Sequence, residues 1–210
     1  HVAFVTWLVR ELADPEFDFY CYVDSSAGAT LISAAARDAP RPVRVLLERG
    51  LPDGRTGVRS DDEAHALAAL VRELPGLSLV GVAGYEGPLG HGRDAKTLDA
   101  VRAYTRGLGE LLESLDADGM FDREAAELVL TCGGSGQVDV VTAELRRPVD
   151  VSRPVRRVLR GGSYITHDDG LYSRTSSLAG ELRPAIEVWC QVLSRPEPRL
   201  ALLGAGRRDV

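Results

Sequence analysis

The sequence predicts an α/β fold built on a parallel sheet, and three observations carry that prediction. Short apolar runs recur five times, at 17–23, 43–47, 77–83, 128–132 and 155–159. Segments with helical periodicity and capping residues stand between them. Strands that alternate with helices join through right-handed crossovers and pair in parallel. Every strand exit is also polar or glycine-rich: Asp24-Ser25-Ser26, Arg55 with Thr56, Tyr85 with Glu86, residues 133–136, and residues 160–163. Parallel α/β folds gather their ligand-binding groups at the C-terminal ends of the strands, so the exits also predict where a site lies.

In chain order, 6–13 reads as a short amphipathic helix capped by Thr6, with Pro15 past its end. FDFYCYV at 17–23 reads as a buried, aromatic strand. Asp24-Ser25-Ser26 can cap a helix over 27–39, which Pro40 and Pro42 close. A strand at 43–47 leads through RGLPDGRTGVRS to Ser60-Asp61-Asp62-Glu63, a capping box that opens a helix ending before Pro75-Gly76. LSLVGVA at 77–83 is the third strand, and GYEGPLGHGRD is its exit. A long helix over 95–115 puts Leu98, Val101, Leu108, Leu111 and Leu112 on one face. LVLTC at 128–132 runs straight into Gly133-Gly134-Ser135-Gly136, 138–145 reads as helix, and 155–159 is the fifth strand.

After about residue 172 the helical periodicity stops. IEVWCQVL at 186–193 and residues 200–203 read as strands of an antiparallel β-domain, with Trp189 in its core and the proline-rich SRPEPR as the turn between them. The boundary between the two parts falls near 172–183.

Composition narrows the function classes. Hydrophobic residues make up 44% of the 210 and charged residues 27%, enough to build an ordinary core. A net charge of −6 weighs against nucleic acid as a partner. No apolar run approaches the length of a membrane span, and the opening HVAFVTWLVRELADPEF lacks the basic start of a secretory signal. Cys21, Cys132 and Cys190 are far apart in apolar runs, which predicts reduced, buried thiols in a cytoplasmic protein. Lysine occurs once, as Lys96, beside 24 arginines, so chemistry that needs a lysine has one candidate here.

The candidate site rests on two neighbouring loops. TCGGSGQ can wrap an anion, with glycines that let backbone N–H groups converge and Ser135 adding a hydroxyl. An empty glycine-rich turn is the competing reading. Gly161-Gly162-Ser163 leaves the next strand, about 5 Å away if the two strands pair, and the two loops together would form a phosphate cup. Neither carries a P-loop lysine, which weighs against nucleoside triphosphate hydrolysis.

Arg55 in GRTGVR can hold a phenolate or carboxylate in its fork, or be a surface arginine. Tyr85 in GYEG can stack on a planar ligand, or be a buried tyrosine tied to backbone. Glu86 can act as a base or cap its own loop. His91 and the His167-Asp168-Asp169 run raise a metal site, but an extended run offers at most His167 and Asp169, short of the three or four donors needed. A hydrogen-bonded turn is the better reading. No G-x-S-x-G elbow is present.

Taken together and in order, VDS at 23–25, GRTGVR at 54–59, GYEG at 84–87, GGS at 133–135, LRGGSYITHDDGLY at 159–172, and IEVWCQVLSRPEP with the closing GRRDV resemble one family. It is the D-threonine aldolase and D-serine dehydratase (amino acid deaminase) group of pyridoxal-phosphate enzymes, related to alanine racemase. The resemblance implies part of a (β/α)8 barrel, about strands four to eight, over 1–175, and the start of an antiparallel β-domain over 176–210. It implies that Arg55 sits by the ring hydroxyl of pyridoxal 5′-phosphate, that Tyr85 lies against the ring, and that Ser135, Gly162 and Ser163 hold the phosphate. Arg160 takes the place of the racemase arginine near the ring nitrogen.

The implied activity is a lyase acting on small D-β-hydroxy amino acids, by dehydration of D-serine or retro-aldol cleavage of D-threonine. A divalent zinc or manganese ion, a cytoplasmic location and a homodimer go with it. The family's cofactor-bearing lysine is expected before His1 and its metal-binding His and Cys beyond Val210. Lys96, at the start of a helix, cannot stand in for that lysine. No catalytic or metal-ligating residue is therefore expected in this chain, which reads as an internal fragment without turnover. An amino acid racemase, a non-catalytic pyridoxal-phosphate-binding barrel and a ligand-free scaffold are the alternatives. The IEVWCQVLSRPEP segment argues against the second, because such barrels lack the β-domain.

Overall fold

A computed structural model describes residues 2–206. Five strands, β1 (Tyr20–Val23), β2 (Val43–Arg49), β3 (Leu77–Gly84), β4 (Leu128–Cys132) and β5 (Val155–Leu159), pair in chain order. All four pairings are parallel. Helices α1 (Val2–Glu11), α2 (Ser26–Ala36), α3 (Asp61–Glu73), α4 (Ala95–Ala117) and α5 (Val138–Leu145) precede or connect them. Right-handed crossovers between sequential neighbours put the connecting helices on one face. The main core lies there, where Leu108, Leu112 and Leu115 of α4 pack with Leu47 and Leu128 of the sheet.

The other face carries a smaller apolar layer of Leu46, Val80, Ala83 and Val129, and the sheet curls around it. Arg156 on edge strand β5 comes within 3.5 Å of Asp18, two residues before the opposite edge strand β1. Arg160 lies 5.2 Å from the centroid of the Tyr22 ring on β1. A flat five-stranded sheet would hold its outer strands roughly 19 Å apart, so these contacts require barrel-like curvature.

Local chemistry sets most element boundaries. Ser25 caps α2 by accepting the Gly28 N–H, and Asp94 caps α4 by accepting that of Thr97. At α3, Ser60 accepts the Glu63 N–H, while the Glu63 carboxylate reaches Arg59 N rather than Ser60 N. Strand β3 bulges at Val80, because Val45 pairs with Leu79 and Leu46 with Gly81. Gly81 has no alternative there, since a Cβ would lie 2.0 Å from the Val129 carbonyl oxygen.

Several expectations need correction. Thr6 lies inside α1 and does not cap it. Strand β1 starts at Tyr20, because Phe17 and Phe19 stack on each other and join Phe4 and Trp7 of α1. Two short helices, α6 (Ser163–Thr166) and α7 (Leu171–Thr175), interrupt the stretch after β5. In the C-terminal part, residues 186–191 are irregular, and the hairpin is β6 (Val192–Glu197) with β7 (Leu200–Leu203). SRPE is therefore strand, not turn. Pro196 is tolerated because a two-stranded ribbon leaves outer N–H positions without a ladder partner. Trp189 is 90% exposed and not core, as little among the described residues packs over this segment. Of the closing GRRDV, residues 207–210 lie outside the described part.

The cysteines also differ from expectation, since Cys132 is buried, Cys21 half-buried and Cys190 exposed. Burial pushes the Cys21 thiol up to about 11. Burial, then the neighbouring Glu86 carboxylate, pushes Cys132 well above the usual thiol range. Raised thiols are poor nucleophiles near neutral pH. A maleimide time course followed by mass spectrometry should label Cys190 first, Cys21 later and Cys132 only on unfolding. Early labelling of Cys132 would contradict this packing.

Strands β1 and β5 each present an outer edge without a strand partner among the described residues. The isolated polypeptide is expected to self-associate, giving a light-scattering mass above that of one chain. A monodisperse monomer at high concentration would argue against open edges.

Candidate functional site

A cavity of about 580 Å³ opens at the C-terminal end of the sheet, and all five strand exits contribute to its wall. Arg55, Tyr85, Ser135, Gly162 and Ser163 all line it. The structure therefore brings together every residue that the sequence singles out for the cofactor.

Arg59 shapes the loop after β2. Its guanidinium donates to the carbonyls of Gly54, Arg55, Thr56 and Gly57 at 2.7–3.2 Å. Gly57 has φ 98°, and a Cβ there would lie 2.2 Å from Gly50 N. The wrapped loop projects Arg55 over the Tyr85 ring, 5.5 Å from its centroid. Among the described residues the Arg55 guanidinium makes no ion pair or hydrogen bond. It is exposed, as the surface reading requires, yet it forms part of the cavity wall.

The position of Tyr85 depends on Tyr104, which is not among the residues that the sequence marks as candidates. The Tyr104 hydroxyl, from α4, accepts the Tyr85 N–H at 3.0 Å and donates to the Arg49 carbonyl at 2.6 Å. It thus ties together the exits of β2 and β3. Burial pushes the Tyr104 phenol above its usual range, so it stays protonated and able to donate. Gly84 makes room for it, because a Cβ there would lie 2.5 Å from that hydroxyl. The Tyr85 ring packs close to Gly87 and Gly134, whose added Cβ atoms would approach it within 2.2 and 2.9 Å. One signal for Tyr104 was present in the sequence: it is a polar-tipped residue on an otherwise apolar helix face.

Neither reading of Glu86 describes its place: it makes no side-chain cap on its own loop and instead braces the neighbouring loop after β4. It is 1% exposed and does not line the cavity. One carboxylate oxygen accepts the Gly134 N–H at 2.7 Å. The glycine loop therefore differs from the expected nest, because the Gly134 N–H points inward. Ser135, 7% exposed, remains in the cavity wall. The second loop is adjacent as expected, since Cys132 pairs with Leu159 and Arg160 N donates to the Cys132 carbonyl at 3.2 Å. Arg160 is fixed rather than free: it donates to Thr131 Oγ1 at 3.0 Å and to the Gly84 carbonyl, and it faces Tyr22.

The remaining candidates stay outside the cavity lining. His91 is exposed, on a loop whose Gly92 carbonyl is held by Gln137 at 2.9 Å. His167 is buried, and Asp168, not Asp169, makes the turn by accepting the Gly170 and Tyr172 N–H groups at 2.8 Å. Among the described residues no group of three or more His, Cys, Asp and Glu converges on a metal position. No helix among the described residues is long and apolar enough to cross a membrane. Lys96 is exposed on α4, away from the cavity wall.

A sequence profile of the alanine racemase N-terminal domain matches residues 6–138, well over half of the chain. The chain belongs to the alanine racemase N-terminal domain family. Membership identifies the curled five-stranded sheet as part of an alanine-racemase-like barrel. A D-threonine aldolase from Arthrobacter sp. is 28% identical over 190 residues, which are 89% of this chain and 46% of that protein. Among solved structures, the D-threonine aldolase from Filomicrobium marinum matches 99% of this chain and 53% of its own, with TM-score 0.75 and 22% identity. The D-threo-3-hydroxyaspartate dehydratase from Delftia sp. HT23 matches 77% of this chain and 39% of its own, with TM-score 0.57 and 20% identity. PipY from Synechococcus elongatus, solved with pyridoxal phosphate bound, matches 76% and 64%, with TM-score 0.51 and 18% identity. The expected kinship with the D-threonine aldolase group is thus found, and the chain spans about half the length of the D-threonine aldolases it matches.

Proposed function

We propose that the cavity holds pyridoxal 5′-phosphate and that the protein carrying this chain is a lyase acting on small D-β-hydroxy amino acids. The convergence of Arg55, Tyr85, Ser135, Gly162 and Ser163 on one polar cavity of about 580 Å³ carries this reading. The names of the relatives support it: D-threonine and D-threo-3-hydroxyaspartate share a hydroxyl on the β-carbon.

The residues fit the cofactor's shape and charge. Ser135, Gly162 and Ser163, on the paired exits of β4 and β5, would take the phosphate. Arg55, whose guanidinium has no hydrogen-bond or ion-pair partner among the described residues, would hold the ring oxygen in its fork. Tyr85, packed close to glycines, would offer a ring face. Arg160 would form a fixed wall. When bound, the cofactor supplies an electron sink for bond breaking at the substrate α-carbon.

The finer assignments belong to the same proposal. D-serine joins the substrates, a zinc or manganese ion would hold the β-hydroxyl, and the active unit would be a cytoplasmic homodimer. The barrel part would end near 175, with the β-domain from 176.

The only lysine, Lys96, lies away from the cavity, so this chain by itself is expected to bind the cofactor without turnover. The test supplies the chain with pyridoxal phosphate and either D-serine or D-threonine. Dehydration of D-serine releases pyruvate and ammonia, and retro-aldol cleavage of D-threonine releases glycine and acetaldehyde. Saturable cofactor binding without product is the expected result. Sustained product from the chain alone would contradict the assignment of no catalytic residue, and absence of binding would overturn the cofactor site.

A further inference from the structure

A carboxylate stands where simple electrostatics would not put one. Glu86 is 1% exposed and lies directly behind the loop proposed to receive a phosphate, an arrangement in which like charges repel. Buried charges persist when hydrogen bonds hold them. One Glu86 oxygen accepts the Gly134 N–H at 2.7 Å, and the other lies 3.5 Å from Cys132 Sγ. A Cβ on Gly134 would come within 3.1 Å of the same carboxylate and 2.9 Å of the Tyr85 ring, so the loop is seated tightly on both groups.

Other contacts hold the far side of the loop. Gln137, 2% exposed, donates to the Gly92 carbonyl at 2.9 Å. Arg93 forks onto both oxygens of Asp139, at 3.2 and 2.7 Å. Burial works against ionised Asp139, but the Arg93 fork outweighs it and keeps the carboxyl below its usual range. Glu86 supports the inner turn, one residue before Ser135.

We propose that Glu86 is a positioning residue for anion binding: its carboxylate fixes the backbone of Gly134 and thereby aims Ser135 into the cavity. The proposal deepens the cofactor assignment and rests on it. It gives a buried acid a purpose that neither general-base chemistry nor charge attraction supplies. The Gly134 N–H is withheld from the ligand so that the residue after it can be placed.

The test compares pyridoxal 5′-phosphate with pyridoxal, which lacks the phosphate, on the full chain and on Glu86→Gln and Glu86→Leu. Amide hydrogen exchange over 133–137 is followed in parallel. The parent should prefer the phosphorylated ligand. Glu86→Gln keeps an oxygen acceptor for Gly134 and should retain that preference and slow exchange. Glu86→Leu should lose about tenfold of the preference, exchange faster at 133–137, and bind pyridoxal as the parent does. Parent-like phosphate preference or unchanged exchange in Glu86→Leu would overturn the inference while leaving the cofactor site standing. If Glu86→Leu does not fold, loss of the preference in a folded Glu86→Gln would overturn it equally. A parent that binds pyridoxal phosphate no better than pyridoxal would remove the cofactor reading, and this inference with it.

Discussion

Gly133→Val is expected to weaken pyridoxal phosphate binding by about tenfold to a hundredfold. Gly133 has φ 129°, a conformation that a β-branched residue adopts only under strain. The conformational cost alone is about 1–3 kcal/mol. An added Cβ would also lie 2.8 Å from Leu159 Cδ1 and 3.4 Å from Arg160 N. Leu159 can move, but the backbone of Arg160 leads directly into Gly162 and Ser163. The substitution therefore disturbs both loops of the proposed phosphate site at once. Gly162→Val is the informative contrast. Its φ is −114° and nothing lies within 4 Å of an added Cβ, so the fold should be unaffected. Calorimetric titration checks the affinities and thermal unfolding checks the fold. Parent-like affinity in Gly133→Val would mean that these loops do not hold the ligand.

Tyr104→Phe is expected to cost about 1–3 kcal/mol of stability. The ring stays, but the part-buried Tyr85 N–H and Arg49 carbonyl lose the hydroxyl that bonds to both. For a chain of this size that corresponds to a fall in Tm of roughly 2–12 °C. The exits of β2 and β3 would also lose a tie, so Tyr85 should hold a ring less well, and pyridoxal should bind more weakly along with its phosphate. That pattern differs from the phosphate-selective loss expected for Glu86→Leu. Denaturant unfolding with both ligand titrations separates the two. A Tyr104→Phe variant as stable as the parent would show that water or backbone rearrangement replaces the hydroxyl.

Much of the fold is legible where two local signals agree. Helices α2, α3 and α4 combine apolar periodicity with real side-chain caps at Ser25, Ser60 and Asp94. Strands β4 and β5 fall on the predicted residues. Legibility fails where tertiary contacts override propensity. Phe17 and Phe19 are strong strand formers, but Phe4 and Trp7 draw them into an aromatic cluster. Trp189 reads as core only on the assumption that something covers it. Pro196 reads as a turn residue because the sequence does not reveal an open ribbon edge.

The candidate site is legible for the same reason that its loops are: glycines next to hydroxyls mark strand exits. What the sequence hides is the support behind them. Tyr104 stands 19 residues from Tyr85 and merges with the apolar face of α4. Glu86 keeps two readings open until its burial and its Gly134 partner are known.

The most direct test of the cofactor site is an absorption titration of the chain with pyridoxal 5′-phosphate in a Lys96→Gln background. Lys96 is the only side-chain amine and is exposed, so removing it suppresses adventitious attachment to a lysine. A saturable one-to-one spectral change, lost when Ser135→Ala and Gly162→Val are combined, is the expected outcome. An unsaturable change, or equal saturation with and without Ser135 and Gly162, would contradict a phosphate site on these two loops.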